Sequence, residues 1–298
     1  MTNRWILLLG FLAPLLSGRA QAGQATAAVA AGMKFAMDEI AAEFRKAHPK
    51  DSFEVVYGST GKLQTQVQQG APFDLFFSAD NTAPLDLAKA GFAGSEMRIY
   101  AIGHLALWST TVDASKLKIA DLADPKFTRI AIGNPKVAPY GKRAEESLRK
   151  AGIWDKVASR LVLGENVTQT AQFVESGNAQ VGILALSLAM SPELAKKGGH
   201  ALVPDDMHQP LEQGFIITKR GASNPVATAF AKFMQSKEVK AILLRYGYTL
   251  PEAAAEPAKA EPAKAEPAKA EPAKAEPAKA ENPAPAPKAT KKVKPARP

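Results

Sequence analysis

The sequence predicts an α/β fold of two modest domains, each a mainly parallel sheet flanked by helices. Three observations predict it. Short apolar runs alternate with amphipathic helical stretches, which is the pattern of βα units. The part that carries this pattern, residues 23–250, is 228 residues long, large for one core and comfortable for two. The two ends of the 298-residue chain break the pattern and differ from it in composition.

The elements follow in order. An apolar run at 26–30 leads into a helix over 33–48, where Phe35, Ile40 and Phe44, with the small Ala36 and Ala47, fall near one stripe. A strand at 52–57 precedes a helix at 63–69, and a strand at 74–77 precedes a helix at 84–90. One long strand is expected at 99–108, with Trp108 in core or hinge packing. Strands at 129–132 and 160–163 are each followed by a helix, at 142–151 and 168–176, and Trp154, like Trp108, is expected in core or hinge packing. Strands at 181–185, 200–203 and 215–218 lead to two terminal helices, 225–236 and 237–246.

At the N-terminus, Arg4, the apolar run 5–16 and Ala20-Gln21-Ala22 fit the three regions of a secretory signal peptide, so residues 1–22 are expected to be removed. The apolar run is too short to span a bilayer as a stable helix; an uncleaved anchor is the competing reading. The chain has no cysteine, which excludes disulfides, thiolate metal sites, cysteine catalysis and a lipid-modified cysteine. An exported chain of this kind is expected to be soluble in a bacterial periplasm.

At the other end, Glu-Pro-Ala-Lys-Ala repeats five times from Glu256 to Ala280. Proline at every fifth position forbids a continuous helix, and no side chain there can form a core, so 251–298 is expected to be a disordered tail. Its end is basic. Of the net charge of +9, residues 23–250 carry only +4. The folded part is therefore mildly basic, and nucleic-acid binding is not indicated.

Four strand-to-helix junctions stand out: Ala30-Ala31-Gly32-Met33, Gly58-Ser59-Thr60-Gly61-Lys62, the segment from Asn134 to Gly141, and Glu165-Asn166-Val167-Thr168. Each puts small or capping residues where a helix begins, with free N–H groups pointing forward. Such ends carry partial positive charge and suit anions, and open α/β sheets bind ligands at the carboxyl ends of their strands. Two junctions fall in each half, so two lobes would bring all four to one cleft. Ordinary βα turns use the same residues, and that bland reading stays open here. A P-loop does not: the glycine it needs is Val56, and the Ser or Thr it needs is Leu63.

No catalytic constellation appears. His48, His104, His200 and His208 lack metal-ligand spacing, and no Gly-x-Ser-x-Gly or Gly-x-Gly-x-x-Gly motif occurs. Asp74 and Asp80 are expected to cap or brace a strand–helix corner rather than act as an acid–base pair.

The segments from Ala30 to Ile40, Gly58 to Leu63 and Gly70 to Asp80 resemble the periplasmic molybdate-binding proteins of ABC importers (ModA type). So do Tyr100 to Gly103, Ile132 to Pro135 with Ala138 to Gly141, and Arg245 to Tyr248, in the same order. The resemblance implies a periplasmic-binding-protein fold of type II: two lobes joined by crossing strands, one of residues 23–101 and 217–250, the other of 102–216, with hinges near 100–106 and 213–217. It implies a monomeric, non-enzymatic solute-binding protein without a cofactor. Its ligand is molybdate or tungstate, and its partner is an ABC permease in the inner membrane. By the same resemblance Thr60 donates its hydroxyl and N–H, Tyr140 and Val167 donate backbone N–H groups, and Ser59, Ala31 and Gly32 complete the wall. Molybdenum is held as an oxyanion, through Thr60 and Val167, not as a free cation. Ala31 and Gly32 stand where relatives commonly have Ser, Thr or Asn, and Ala185 where some have a ligand-contacting Tyr.

Lys34, Lys62 and Lys142 each fall two residues after a junction residue, in the first turn of a helix, where a cation opposes the macrodipole. Either they steer an anion inward, or they are three unrelated solvated lysines. Two other functions stay open: a clamp for a different dianion such as sulfate, and an envelope adaptor acting through the tail.

Overall fold

The computed structural model describes residues 23–251, so the signal peptide expected at 1–22 and the repeat tail after Pro251 lie outside the described residues. The first half runs β1 (Gln24–Ala30), α1 (Lys34–Ala47), β2 (Ser52–Gly58), α2 (Thr60–Gln68), β3 (Leu75–Phe77), α3 (Thr82–Lys89), β4 (Arg98–Gly103) and β5 (Leu105–Ser109). Next come β6 (Ile130–Gly133), α4 (Pro139–Lys150), α5 (Trp154–Val157), β7 (Leu161–Gly164), α6 (Val167–Glu175), β8 (Val181–Ala185), α7 (Leu186–Ala189) and α8 (Pro192–Ala195). The chain ends in β9 (Gly199–Leu202), β10 (Leu211–Ile217), α9 (Pro225–Phe233) and α10 (Lys237–Arg245).

Two five-stranded sheets result, ordered β2-β1-β3-β10-β4 and β7-β6-β8-β5-β9. Each has three parallel strands and one antiparallel strand inserted before the edge: β10 in the first sheet, β5 in the second. These inserted strands are the ones adjoining the crossings between sheets. The long strand expected at 99–108 is thus two strands. It breaks at His104, whose ring bridges Asp205 Oδ1 and Thr249 Oγ1, each at 2.8 Å. The last strand reaches back to Leu211, where 215 was expected, and all of it pairs in the first sheet. The sheet boundary therefore precedes 211, because the ladder with β4 continues to Leu211 opposite Gly103.

Burial explains the elements. In α1, Ala36, Met37, Ile40, Ala41 and Phe44 form the buried stripe. Successive residues of β3 point to opposite faces. Phe77 joins Phe44, Phe53, Phe215 and Phe230 on one face of the first sheet, with Phe53 stacked on Phe230 at 3.9 Å. Phe76 packs with Leu63, Leu87 and Ile216 on the other face. The second sheet has its own core around Leu107, Trp108, Ile132 and Ile183. Helices α2 and α4 start at Thr60 and Pro139, three residues before the positions expected from apolar periodicity, since their first turns, Thr60-Gly61-Lys62 and Pro139-Tyr140-Gly141, carry little apolar signal. The short α5, α7 and α8 were not expected, as four residues give no period to read.

Candidate functional site

Small residues at the carboxyl ends of β1 and β2 open into helix starts with uncommitted backbone. After β1 the chain makes a 3₁₀ turn, Ala31–Met33, with no side-chain cap. After β2, Ser59 is the N-cap of α2 in extended conformation, and its side chain does not cap the helix. Thr60 is the first helical residue. Its Oγ1 accepts the N–H of Ala79 at 3.1 Å. Ser78 Oγ is 3.4 Å from Thr60 Oγ1 but 2.9 Å from Asp80 Oδ1, so its single proton belongs to the carboxylate. The Thr60 proton can then lie on that 3.4 Å contact or turn into the cavity. Asp80 also accepts the N–H of Ala83 at 3.0 Å, and Asp74 accepts that of Thr26 at 2.9 Å. Asp80 thus braces the β3–α3 corner as expected, whereas Asp74 ties the start of β3 to β1 and braces no helix.

The second sheet offers two further helix starts. Pro139 occupies the first position of α4 and has no N–H, so Tyr140 presents the first one. Asn166 caps α6: its Oδ1 accepts from Thr168 N at 3.0 Å and Gln169 N at 3.1 Å. Capping the second and third positions leaves the N–H of Val167 pointing forward.

These starts converge. Ala31, Gly32, Ser59, Thr60, Tyr140 and Val167 line one cavity, together with Ala30, Gly58, Ala79, Ala138, Pro139 and Asn166. None of these residues is charged. The cavity is small: a water-sized sphere has about 10 Å³ in which to move, far below the roughly 300–1,000 Å³ of ordinary small-molecule pockets, so only a compact ion suits it. Ser59 Oγ is buried and has no hydrogen-bond partner among the described residues. An unpaired buried hydroxyl on such a wall is a donor waiting for an acceptor. Ala185 approaches the same wall from the second sheet: a Cβ on Gly32 would lie 3.4 Å from Ala185 Cβ and 3.0 Å from Tyr140 Cε2. Glycine at position 32 makes room for the Tyr140 ring.

The two sides also touch directly. Gly61 N donates to Val137 O at 3.0 Å, Thr168 Oγ1 to Ala31 O at 3.3 Å and Ser187 Oγ to Gly32 O at 2.6 Å. Lys62 Nζ meets Glu165 Oε2 at 2.7 Å. Lys34 pairs with Asp38 at 2.8 Å and lies over the Tyr57 ring. Neither lysine reaches the cavity. Lys142, with Lys136, Asp80 and Asp86, borders an adjoining outer recess. Of the residues that reach the back of the wall, Ser187 carries no local sequence signal and Tyr248 was visible only within the segment Arg245 to Tyr248; Asn166 was visible only as part of its junction.

Residues 25–249 match the model of the bacterial extracellular solute-binding protein family. The molybdate-binding protein ModA of Azotobacter vinelandii is 36% identical over 83% of this chain and 98% of its own length. ModA of Rhodobacter capsulatus is 35% identical over 81% and 92%. The solved structure of the Azotobacter vinelandii periplasmic molybdate-binding protein superposes with a TM-score of 0.71 at 32% identity, over 76% of this chain and all of that one.

Proposed function

Because the chain belongs to the bacterial extracellular solute-binding protein family, a family of transport components and not of enzymes, we propose that it captures molybdate in the periplasm for an ABC importer. The first sheet with its helices and the second sheet with its helices act as two lobes, hinged at His104 and at the connection between β9 and β10. The oxyanion lies in the uncharged cavity between them. Thr60 donates its hydroxyl and N–H, Ser59 its unpartnered hydroxyl, Gly32, Tyr140 and Val167 their N–H groups, and Ala31 completes the wall. The lobes close on the ion, and a membrane permease recognises the closed form. The protein works as a monomer and accepts tungstate, an ion of the same shape and charge.

One observation carries this reading: helix starts from both sheets meet in a cavity with no charged residue and one orphaned hydroxyl. Neutral dipoles stabilise a doubly charged ion without a buried counter-charge that would itself have to be desolvated. The test is thermal unfolding of the mature chain with molybdate, tungstate, sulfate and phosphate. Ligand at about a hundred times its Kd adds about 2.7 kcal/mol of apparent stability. Molybdate and tungstate should both raise Tm, and sulfate and phosphate less. A melting curve unmoved by all four ions refutes the proposal.

A further inference from the structure

Behind the cavity wall, buried polar side chains join into one chain. Tyr100 on β4 donates its hydroxyl to Gln213 Oε1 at 2.8 Å, and Gln213 Nε2 donates to the Tyr140 hydroxyl at 2.7 Å. Gly103, in the last position of β4, leaves the space where those two groups meet. The Tyr140 hydroxyl faces Tyr248, whose own hydroxyl is 3.1 Å from Gly32 O and 3.1 Å from Ser187 Oγ. Ser187 Oγ donates to the same Gly32 carbonyl at 2.6 Å. Burial raises the pKa of Tyr100, Tyr140 and Tyr248 alike, so all three remain proton donors.

The chain ends on a turn that cannot hold itself. Ala31 and Gly32 bring no hydroxyl, and Ala30 makes no side-chain cap. What orients this turn comes from outside: Tyr248 from the first lobe, Ser187 and Thr168 from the second. Ser187 is 4% exposed and sits in α7, directly after β8. Its hydroxyl reaches Gly32 only while the lobes are together.

We propose that Ser187 is a positioning residue for ligand capture: by holding the Gly32 carbonyl across the cleft, it fixes the Ala31–Met33 turn in its ligand-facing orientation and ties ligand retention to lobe closure. This rests on the proposed oxyanion site. Ser187 does not touch the ion. It supplies from the second lobe the anchoring that Ala31 and Gly32 lack. Tyr248 supports the same carbonyl from the first lobe, so the two hydroxyls act as a unit.

The test uses the mature full chain and molybdate as the probe. Ser187→Ala is expected to raise the dissociation rate about tenfold, the worth of one buried hydrogen bond, and to leave the association rate within about twofold. Tyr248→Phe should act in the same direction, and the double variant should fall short of the product of the two, as groups on one carbonyl do. Ligand-free Tm should change less than ligand-bound Tm. A second readout needs no ligand. The chain has no native cysteine, so spin labels at Lys46→Cys and Lys196→Cys report the distance between lobes. Ser187→Ala should broaden that distribution toward longer distances. A dissociation rate within twofold of wild type, or equal losses of Tm with and without ligand, overturns the proposal. If wild type binds no oxyanion, the functional reading fails. The label distances then decide Ser187 alone, and an unchanged distribution overturns its role.

Discussion

Thr60→Val replaces a hydroxyl by a methyl of the same shape and separates two roles of one atom. Thr60 Oγ1 accepts the buried N–H of Ala79 at 3.1 Å, and in the proposed complex its proton turns to the ligand. Stranding the Ala79 N–H lowers stability by about 1–3 kcal/mol, the desolvation penalty of an unsatisfied buried donor. Removing a hydrogen bond to a charged acceptor loses about 1.5–3 kcal/mol of binding, a rise in Kd of roughly 10- to 150-fold. Calorimetric titration with molybdate reads the second quantity, and denaturant unfolding of the ligand-free chain reads the first. Thr60→Ser keeps the hydroxyl and should bind within about threefold of wild type, losing only the packing of one methyl. The reasoning is refuted if Thr60→Val stays folded and binds molybdate within twofold of wild type. Thr60 would then brace the Ala79 corner and nothing more.

Three further outcomes follow from the geometry. Gly32→Ala places a methyl 3.0 Å from Tyr140 Cε2. The ring must yield, and Kd measured by the same titration should rise about tenfold for a stability loss of about 1–3 kcal/mol. Lys62→Gln removes an exposed ion pair with Glu165 worth at most about 1 kcal/mol; molybdate affinity should fall less than about fivefold, and the salt dependence of dissociation should flatten in stopped-flow traces. Tyr100, Tyr140 and Tyr248 are buried with pKa raised above the ordinary 10.0. Below that value both folded and unfolded chains keep these protons and stability does not respond to them. Above it the unfolded chain releases protons that the folded chain retains, so stability falls as pH rises, by about 1.4 kcal/mol per pH unit for each tyrosine. Tyr57 and Tyr246 are raised in the same direction, so denaturant titrations across the alkaline range should show this slope shrinking by about a fifth to a quarter in Tyr100→Phe.

Much of this was legible in the chain, for a definite reason. Short apolar runs locate strands because burial on both faces demands them, and seven of the nine expected strands have their counterparts within two residues at each end. The two that differ, 99–108 and 215–218, adjoin the crossings. There the same apolar composition serves either sheet, and only tertiary pairing decides where His104 interrupts the ladder or how far β10 extends. The helix starts that line the cavity were visible as junction chemistry: Ser59, Thr60 and Asn166 beside small residues. Their first turns were not, because the cleft sets the identity of Thr60, Pro139 and Tyr140 and leaves no apolar period. Ser187 was invisible, and Gln213 and Tyr248 showed only as part of an expected hinge and of a resembling segment, for another reason. They lie far apart in the chain and gain meaning only where the fold brings their hydroxyls and amide to one carbonyl. The lysines at 34 and 62 show the reverse limit, since partners unseen in the sequence, Asp38 and Glu165, absorb their charge.

The division of donors between lobes explains why a neutral cage suits a carrier better than a charged one. A lysine or arginine in either lobe would attract the dianion strongly in the open state, and the charge would hold it when the lobes part. In the proposed site Ser59, Thr60 and Gly32 belong to one side and Tyr140 and Val167 to the other, so on that reading each half alone offers an incomplete set of dipoles in contact with water. Affinity then comes from closure, which assembles the set and excludes solvent, and a ligand can shift the lobe equilibrium only by its preference for the assembled site. A permease that pulls the lobes apart would need to oppose only neutral hydrogen bonds, each of which water can replace. By this logic Ser59→Arg should slow release more than it speeds capture, the opposite of what transport requires.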